Sequence, residues 1–149
     1  MASGFRVRLI EKEADHPLVA GWWRGHGWQA VPVAMLPALG VMAEVGGRPV
    51  AAGWCYLDNS TGVAMLEWLV ADPDARPREV MTGLGHVIAF LKAEARALGY
   101  GAMLGTCRQE SLSKVLQRHE FEVMDRGMIH HVASLQTEDG KTEEVREEG

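Results

Sequence analysis

"VAMLEWLVADPDARPREVMTGLGHVIAFLKAEARALG", residues 63–99, decides how this chain folds. Its first nine residues are apolar except Glu67 and lie between turn-forming "DNSTG" and "DPD", so 63–71 reads as a buried strand. From Pro77 to Leu98 the apolar positions Val80, Leu84, Val87, Ile88, Leu91, Ala95 and Leu98 recur mostly at three and four, the period of an amphipathic helix. Gly99 follows in the C-cap role. The turn between strand and helix is harder to read. A residue before proline is pushed out of the helical region, so Arg76 becomes the N-cap and Pro77 the first helical residue. Free N–H groups and the positive end of the dipole make a helix start attractive to anions. Here Pro77 removes one donor and Glu79 places a carboxylate where the anion would sit. Arg76 and Arg78 offer contacts of another kind, since a guanidinium reaches outward and binds phosphate bidentately. Gly83 and Gly85 fall inside the helix, where close packing on the sheet accounts for them. Two readings stay open: a rebuilt pyrophosphate site carried by arginines, and an ordinary turn with solvated arginines.

Outward from this unit, residues 41–46 and 49–57 are apolar runs separated by "GGR" and joined to 63–71 by "DNSTG", which predicts a three-stranded antiparallel meander. Upstream, "FRVRLIEK" (5–12) alternates like a half-buried strand. "DHPLVAGWWRGHGW" then predicts a helix with Asp15 as N-cap, Leu18, Val19, Trp22 and Trp23 on its apolar side, and an end at Gly25 or Gly27. The prolines of "VPVAMLPALG" forbid a long helix there. Downstream, "GAMLGTC" (101–107) predicts a short buried strand, "ESLSKVLQRH" (110–119) a helix, and "FEVMDRGMIHHVAS" (121–134) one or two closing strands. Hairpins and crossovers together give an α/β (α+β) domain, residues 1–136, with a mixed, mostly antiparallel sheet of six or seven strands flanked by helices.

With 149 residues, 47% of them hydrophobic, the chain can bury one real core. Its net charge of −5 is concentrated in residues 137–149, which hold six acids against two bases. That segment reads as an acidic disordered tail, because it lacks the apolar surface to offset its ordering entropy. The remaining body, at −1, has no electrostatic footprint for nucleic acid, although Arg24, Arg76, Arg78 and Arg108 can still form a local anion site. Cys55 and Cys107 lack metal-ligand spacing, and His130 and His131 would alternate sides of a strand, so no metal is expected. No signal-like or membrane-spanning run occurs, which predicts a cytoplasmic protein without membrane partners. GxxxxGK, HExxH and GxSxG are absent, removing the main support for P-loop, zinc-protease and serine-hydrolase chemistry. Five tryptophans are many for one small core, so the Trp-rich first helix or the closing strands are expected to serve self-association or a protein partner.

The element order over about residues 5–133 resembles the GNAT superfamily of acyl-CoA-dependent N-acetyltransferases. "LEWLVADP" looks like the family's fourth strand, the long helix follows it after a short turn, and "QESLSKVLQRHEF" has the spacing of a family pattern at Gln109, Leu112, Val115, Leu116, Glu120 and Phe121. Departures accompany the matches. The family's glycine-rich phosphate loop has its spacing only at Gly83 and Gly85, which puts Val80 at its Gln/Arg position, about one helical turn late. Leu116 stands where the family has tyrosine, and Glu120 where it has glycine. The paired tryptophans and the "LP" before the second strand are similar to GNAT-like proteins encoded by phages, which would place the chain in a host cytoplasm or a virion.

The resemblance implies acetyl-CoA as co-substrate and an unidentified amine as acceptor. It places pantetheine against Leu69, Val70 and Ala71, pyrophosphate near Arg76 and Arg78, and further cofactor positions at Glu79, Val80 and Gln109. Transfer to an amine needs a base, a polarised carbonyl and an acid for the thiolate. The resemblance offers Glu67 as the base, acting through a water. Its alternatives are an outward-facing strand acid or a partner for Arg24 or Arg48. Backbone N–H groups near Leu69–Ala71 would hold the carbonyl. Leu116 has no proton to give, leaving Tyr56 or His119 as substitutes. A catalytically silent GNAT fold, serving as a virion-associated or protein-interaction module, is the alternative from another class.

Overall fold

A computed structural model describes residues 4–136. The elements are β1 (Phe5–Leu9), α1 (Lys12–Gly25), β2 (Leu39–Val45), β3 (Arg48–Leu57), β4 (Val63–Ala71), α2 (Pro77–Ala97), β5 (Ala102–Gly105) and α3 (Glu110–Arg118). A single 3-10 turn, Val33–Met35, occupies the proline-bounded loop. The sheet runs β1-β2-β3-β4-β5, antiparallel throughout except for the parallel β4–β5 pair. Gly46 and Gly47, both at positive φ (56° and 79°), close the β2–β3 hairpin, a backbone that side chains with a Cβ rarely adopt.

Two apolar clusters cover the two faces of the sheet. On one, Val19, Trp22 and Trp23 of α1 pack on Met42, Trp54 and Val70. On the other, Leu84, Val87, Ile88 and Leu91 of α2, with Leu112, Val115 and Leu116 of α3, pack on Val50, Leu66 and Leu69. The helix-internal glycine is explained by this second contact: a Cβ on Gly83 would lie 2.8 Å from Val50 Cγ2 and 3.3 Å from Ala51 Cβ. Arg76 is the N-cap of α2 and Pro77 its first residue, and Gly99 turns the chain at φ 95° just past its end.

Four expectations need correction. The sheet has five strands, because residues 121–135 form neither helix nor strand and expose nearly all their side chains. β5 is an edge strand rather than a buried one. Asp15 is not the N-cap of α1: the helix starts earlier, at Lys12, and Asp15 accepts the Glu11 N–H (2.9 Å) from one turn inside it. Trp22 and Trp23 are buried, so α1 offers no tryptophan surface to a partner. The acidic stretch 137–149 lies outside the described residues.

Asp15 also takes a two-pronged bond from Arg8 (2.8 and 2.9 Å), which in turn reaches Glu44 through Nε (3.2 Å). The Arg8 bond holds the Asp15 carboxyl below its ordinary range. A depressed folded-state pKa contributes stability above the unfolded value that is lost as pH falls through the folded one. Asp15→Asn should therefore cost about 1.5–3 kcal/mol at neutral pH, the range for a hydrogen bond to a charged group. In urea titrations at descending pH, the gap between parent and variant should close.

Candidate active site

β4 carries the main irregularity in the sheet. Ala52 pairs with Val70 and Trp54 with Glu67, so Trp68 and Leu69 together oppose the single Gly53. Trp68 takes φ 63°, an outlier for a bulky residue and the kind of local strain that collects at functional sites. Its indole donates to Tyr56 Oη (2.9 Å), whose own hydroxyl donates to the Met35 carbonyl. The bulge is thereby anchored to β3 and to the loop after α1.

Beside the bulge the two parallel strands part. The β4–β5 ladder ends at Leu66 opposite Gly105, with Thr106 N–H to Leu66 O (3.1 Å) as its last tie. Glu67 to Ala71 continue along β3 but have no β5 partner among the described residues. The Asp72 N–H donates to Val50 O (2.9 Å), so the preceding Ala71, opposite Ala51, turns its N–H and C=O away from β3 and into the opening. Its carbonyl accepts from His26 Nε2 (2.8 Å). His26 stacks on Trp28 (centroids 4.5 Å apart), and the Arg108 guanidinium lies 5.3 Å from the Trp28 ring centre. One wall of contacts thus links the end of β4, the segment after α1 and the β5–α3 connection. Trp28, unlike Trp22 and Trp23, belongs to the site.

Glu67 stands at the apex of the opening. Burial pushes its carboxyl above the usual glutamate range, against smaller opposing effects from a Thr106 hydrogen bond and from His130. His130 also meets Trp68 edge-on at 5.6 Å. Neither Arg24 nor Arg48 pairs with Glu67: Arg48 is bound to Glu79 (2.8 Å).

The other expected positions divide into distinct groups. Leu69 and Val70 bury their side chains on opposite faces of the sheet, leaving the backbone to face the opening. Arg76 and Arg78 are exposed at the start of α2. Glu79 is three residues past the N-cap, its carboxyl held below the ordinary range first by the Arg48 bond and also by the Arg76 backbone N–H. Its carboxylate stands in the first turn of α2, where the helix dipole favours negative charge. The Val80 side chain packs against the core and its N–H is spent on Arg76 O (3.0 Å), so it offers a ligand nothing polar. Gln109 is the exposed N-cap of α3. Leu116 is buried, and His119 sits between α2 and α3, its Nε2 3.0 Å from where a Gly85 Cβ would be. Glu120, at the position the family pattern gives to glycine, does take a left-handed φ of 71°.

The sequence reading missed His26, Thr106 and His130. Each reaches the site through a loop or an irregular segment, which periodicity does not register. An open apolar depression of about 480 Å³ lies beside Tyr56, bordered by Pro37, Leu39, Cys55, Leu57 and Met65.

No family model and no curated protein matches the chain. Solved structures do. An acetyltransferase from Trypanosoma brucei is 18% identical with a TM-score of 0.60, covering 86% of this chain and 99% of its own. Glucosamine-6-phosphate N-acetyltransferase from Arabidopsis thaliana is 12% identical at 0.60, covering 87% and 99%. The aminoglycoside N-acetyltransferase AAC(6')-Iy, solved in complex with CoA, is 21% identical at 0.59, covering 90% and 98%. At such identities the likeness is one of architecture, and with the bulged fourth strand and the parting of β4 from β5 it leads to one statement: the chain has the GNAT acetyltransferase fold.

Proposed function

We propose that the chain is an acetyl-CoA-dependent N-acetyltransferase acting on an amine not yet identified. The observation that carries this reading is the coincidence, at one opening in the sheet, of an outward-turned Ala71 N–H and a carboxyl, Glu67, whose proton affinity is raised by burial. Solved relatives by fold are N-acetyltransferases, among them AAC(6')-Iy in complex with CoA.

In this reading the pantetheine arm lies along Leu69–Ala71 as an added strand would, with the acetyl carbonyl polarised by backbone N–H groups at the bulge. The amine attacks the thioester carbon, forming C–N and breaking C–S. Glu67 takes the amine proton through a water, and the thiolate draws its proton from solvent. Slow turnover follows from that last step. Leu116 carries no proton, the Tyr56 hydroxyl is already committed to Met35, and His119 lies between the two helices beside Gly85. The apolar depression beside Tyr56 suits an acceptor with an apolar body.

The pyrophosphate end rests on arginine rather than on a nest of amides. Pro77 has no N–H, the Val80 N–H is used within the helix, and the Glu79 carboxylate occupies the helix start. Replacing Arg76 and Arg78 together by Ala should weaken CoA binding by roughly 1.5–3 kcal/mol per lost charged hydrogen bond. Calorimetry with CoA tests this, and equal affinity in parent and variant would remove the arginines from the site. A parent that binds no CoA at all would instead favour a silent fold used as an interaction or virion-associated module, a reading supported by the buried Leu116 and the Glu79 carboxylate in the first turn of α2.

A further inference from the structure

Ala71 closes β4, and the peptide that joins it to Asp72 is pinned from both sides. The Asp72 N–H reaches back to Val50 O (2.9 Å), while the Ala71 carbonyl accepts from His26 Nε2 on the side away from β3 (2.8 Å). A carbonyl only accepts, so Nε2 carries the proton of the ring. With that peptide plane fixed, the N–H of Ala71 itself stays aimed into the opening between β4 and β5.

His26 is in turn held by the end of α1. It is the C-cap of the helix, its own N–H on Trp22 O and Trp23 O (both 3.1 Å). Gly27, at φ 79°, reverses the chain behind it and lets the Trp28 N–H return to Trp23 O (2.9 Å). That return lays the indole of Trp28 against the imidazole, the two rings inclined by only 21°. The Arg108 guanidinium lies over the same indole. One residue before His26, Gly25 rests on the turn after β4, where an added Cβ would lie 2.8 Å from Pro73 Cγ. The imidazole is therefore stacked, anchored by a helix end that is seated on the same turn, and spent on one backbone carbonyl.

We propose that His26 is a positioning residue for the cofactor arm, satisfying the Ala71 carbonyl so that the Ala71 N–H is held ready for an amide carbonyl of that arm. An arm laid over the end of β4 strips water from the Ala71 carbonyl, and a covered acceptor left unpaired costs binding energy. The imidazole removes that cost before the arm arrives, which is preorganisation of the site. This inference rests on the acetyltransferase reading.

Calorimetry of the full chain with CoA and with 3′-phospho-ADP, the nucleotide half of CoA without its arm, separates the two ends of the ligand. His26→Ala should weaken CoA binding about tenfold, the equivalent of one hydrogen bond, and leave 3′-phospho-ADP unchanged. His26→Gln, whose amide N–H reaches about as far as Nε2, should restore CoA to within a few-fold of the parent. On saturation with CoA the Ala71 amide proton should move downfield in the parent and move less in the Ala variant. Equal CoA affinity in parent and Ala variant, a loss shared by 3′-phospho-ADP, no recovery with Gln, or an unchanged Ala71 shift overturns the proposal, while CoA binding by the parent keeps the acetyltransferase reading. Tighter CoA binding by the Ala variant also overturns it, since the imidazole would then stand in the arm's own place. A parent that binds no CoA overturns the acetyltransferase reading and this proposal with it.

Discussion

Glu67→Gln is expected to lower turnover by about 10²–10⁴-fold, the range for loss of a general base, while leaving CoA affinity unchanged. Free-thiol release from acetyl-CoA with a panel of primary amines reads the rate, and calorimetry reads the affinity. The parent's kcat/KM should rise with pH as Glu67 loses its proton, along a limb displaced above the ordinary glutamate range because burial disfavours the charged form. The variant should lack that limb. Stability moves the opposite way. A folded-state pKa above the unfolded one means that the folded protein holds the proton longer, so stability falls as pH rises through that interval. Gln carries no such penalty, and the variant should be at least as stable as the parent at neutral pH. Lost activity in a protein no less stable separates a missing base from a damaged fold. A variant that keeps both the rate and the limb would assign the proton to another group.

Most of the frame could be read from the residues because it is built on periodicity. The apolar positions of 77–98 did form α2, and Arg76, Pro77 and Gly99 took the cap positions that their backbone preferences dictate. The meander was equally legible from its turns. The misreadings share a cause, which is that a long-range partner overrode a local signal. Asp15 looks like a cap, yet Arg8 from β1 holds it one turn inside the helix. Residues 121–134 look like strands, yet their contacts tie them to the end of β5 rather than along it. The site was half legible. Glu67 stood out as the lone acid in an apolar strand, but the bulge beside it places a tryptophan at positive φ, a conformation that no sequence pattern announces.

Trp54→Ala should be the most damaging single change in the described fold. The side chain is fully buried, its ring centre 5.5 Å from that of Trp23. Its indole fills the space over Gly40 so closely that a Cβ there would lie 2.5 Å from the ring. Removing it should cost about 3–5 kcal/mol, as large aromatic deletions do. That is a large share of the roughly 5–15 kcal/mol that holds a domain together. At about 2–4 °C per kcal/mol for a chain near this length, the midpoint of thermal unfolding should fall by roughly 6–20 °C. Trp54→Phe should be far milder, for a reason visible in the core: the buried indole Nε1 has no hydrogen-bond partner among the described residues. An unpaired buried donor costs about 1–3 kcal/mol, and phenylalanine gives that back while losing only part of the ring. Calorimetric melting of the two variants decides the matter, since equal losses would mean that the indole N–H is paired in solution. The consequence reaches the site, because Trp54 lies opposite Glu67 in the β3–β4 register, one residue before the bulge. Without its bulk the strand pair can relax and Glu67 can turn toward solvent. The Ala variant should then lose activity even well below its melting temperature, where the Phe variant keeps it.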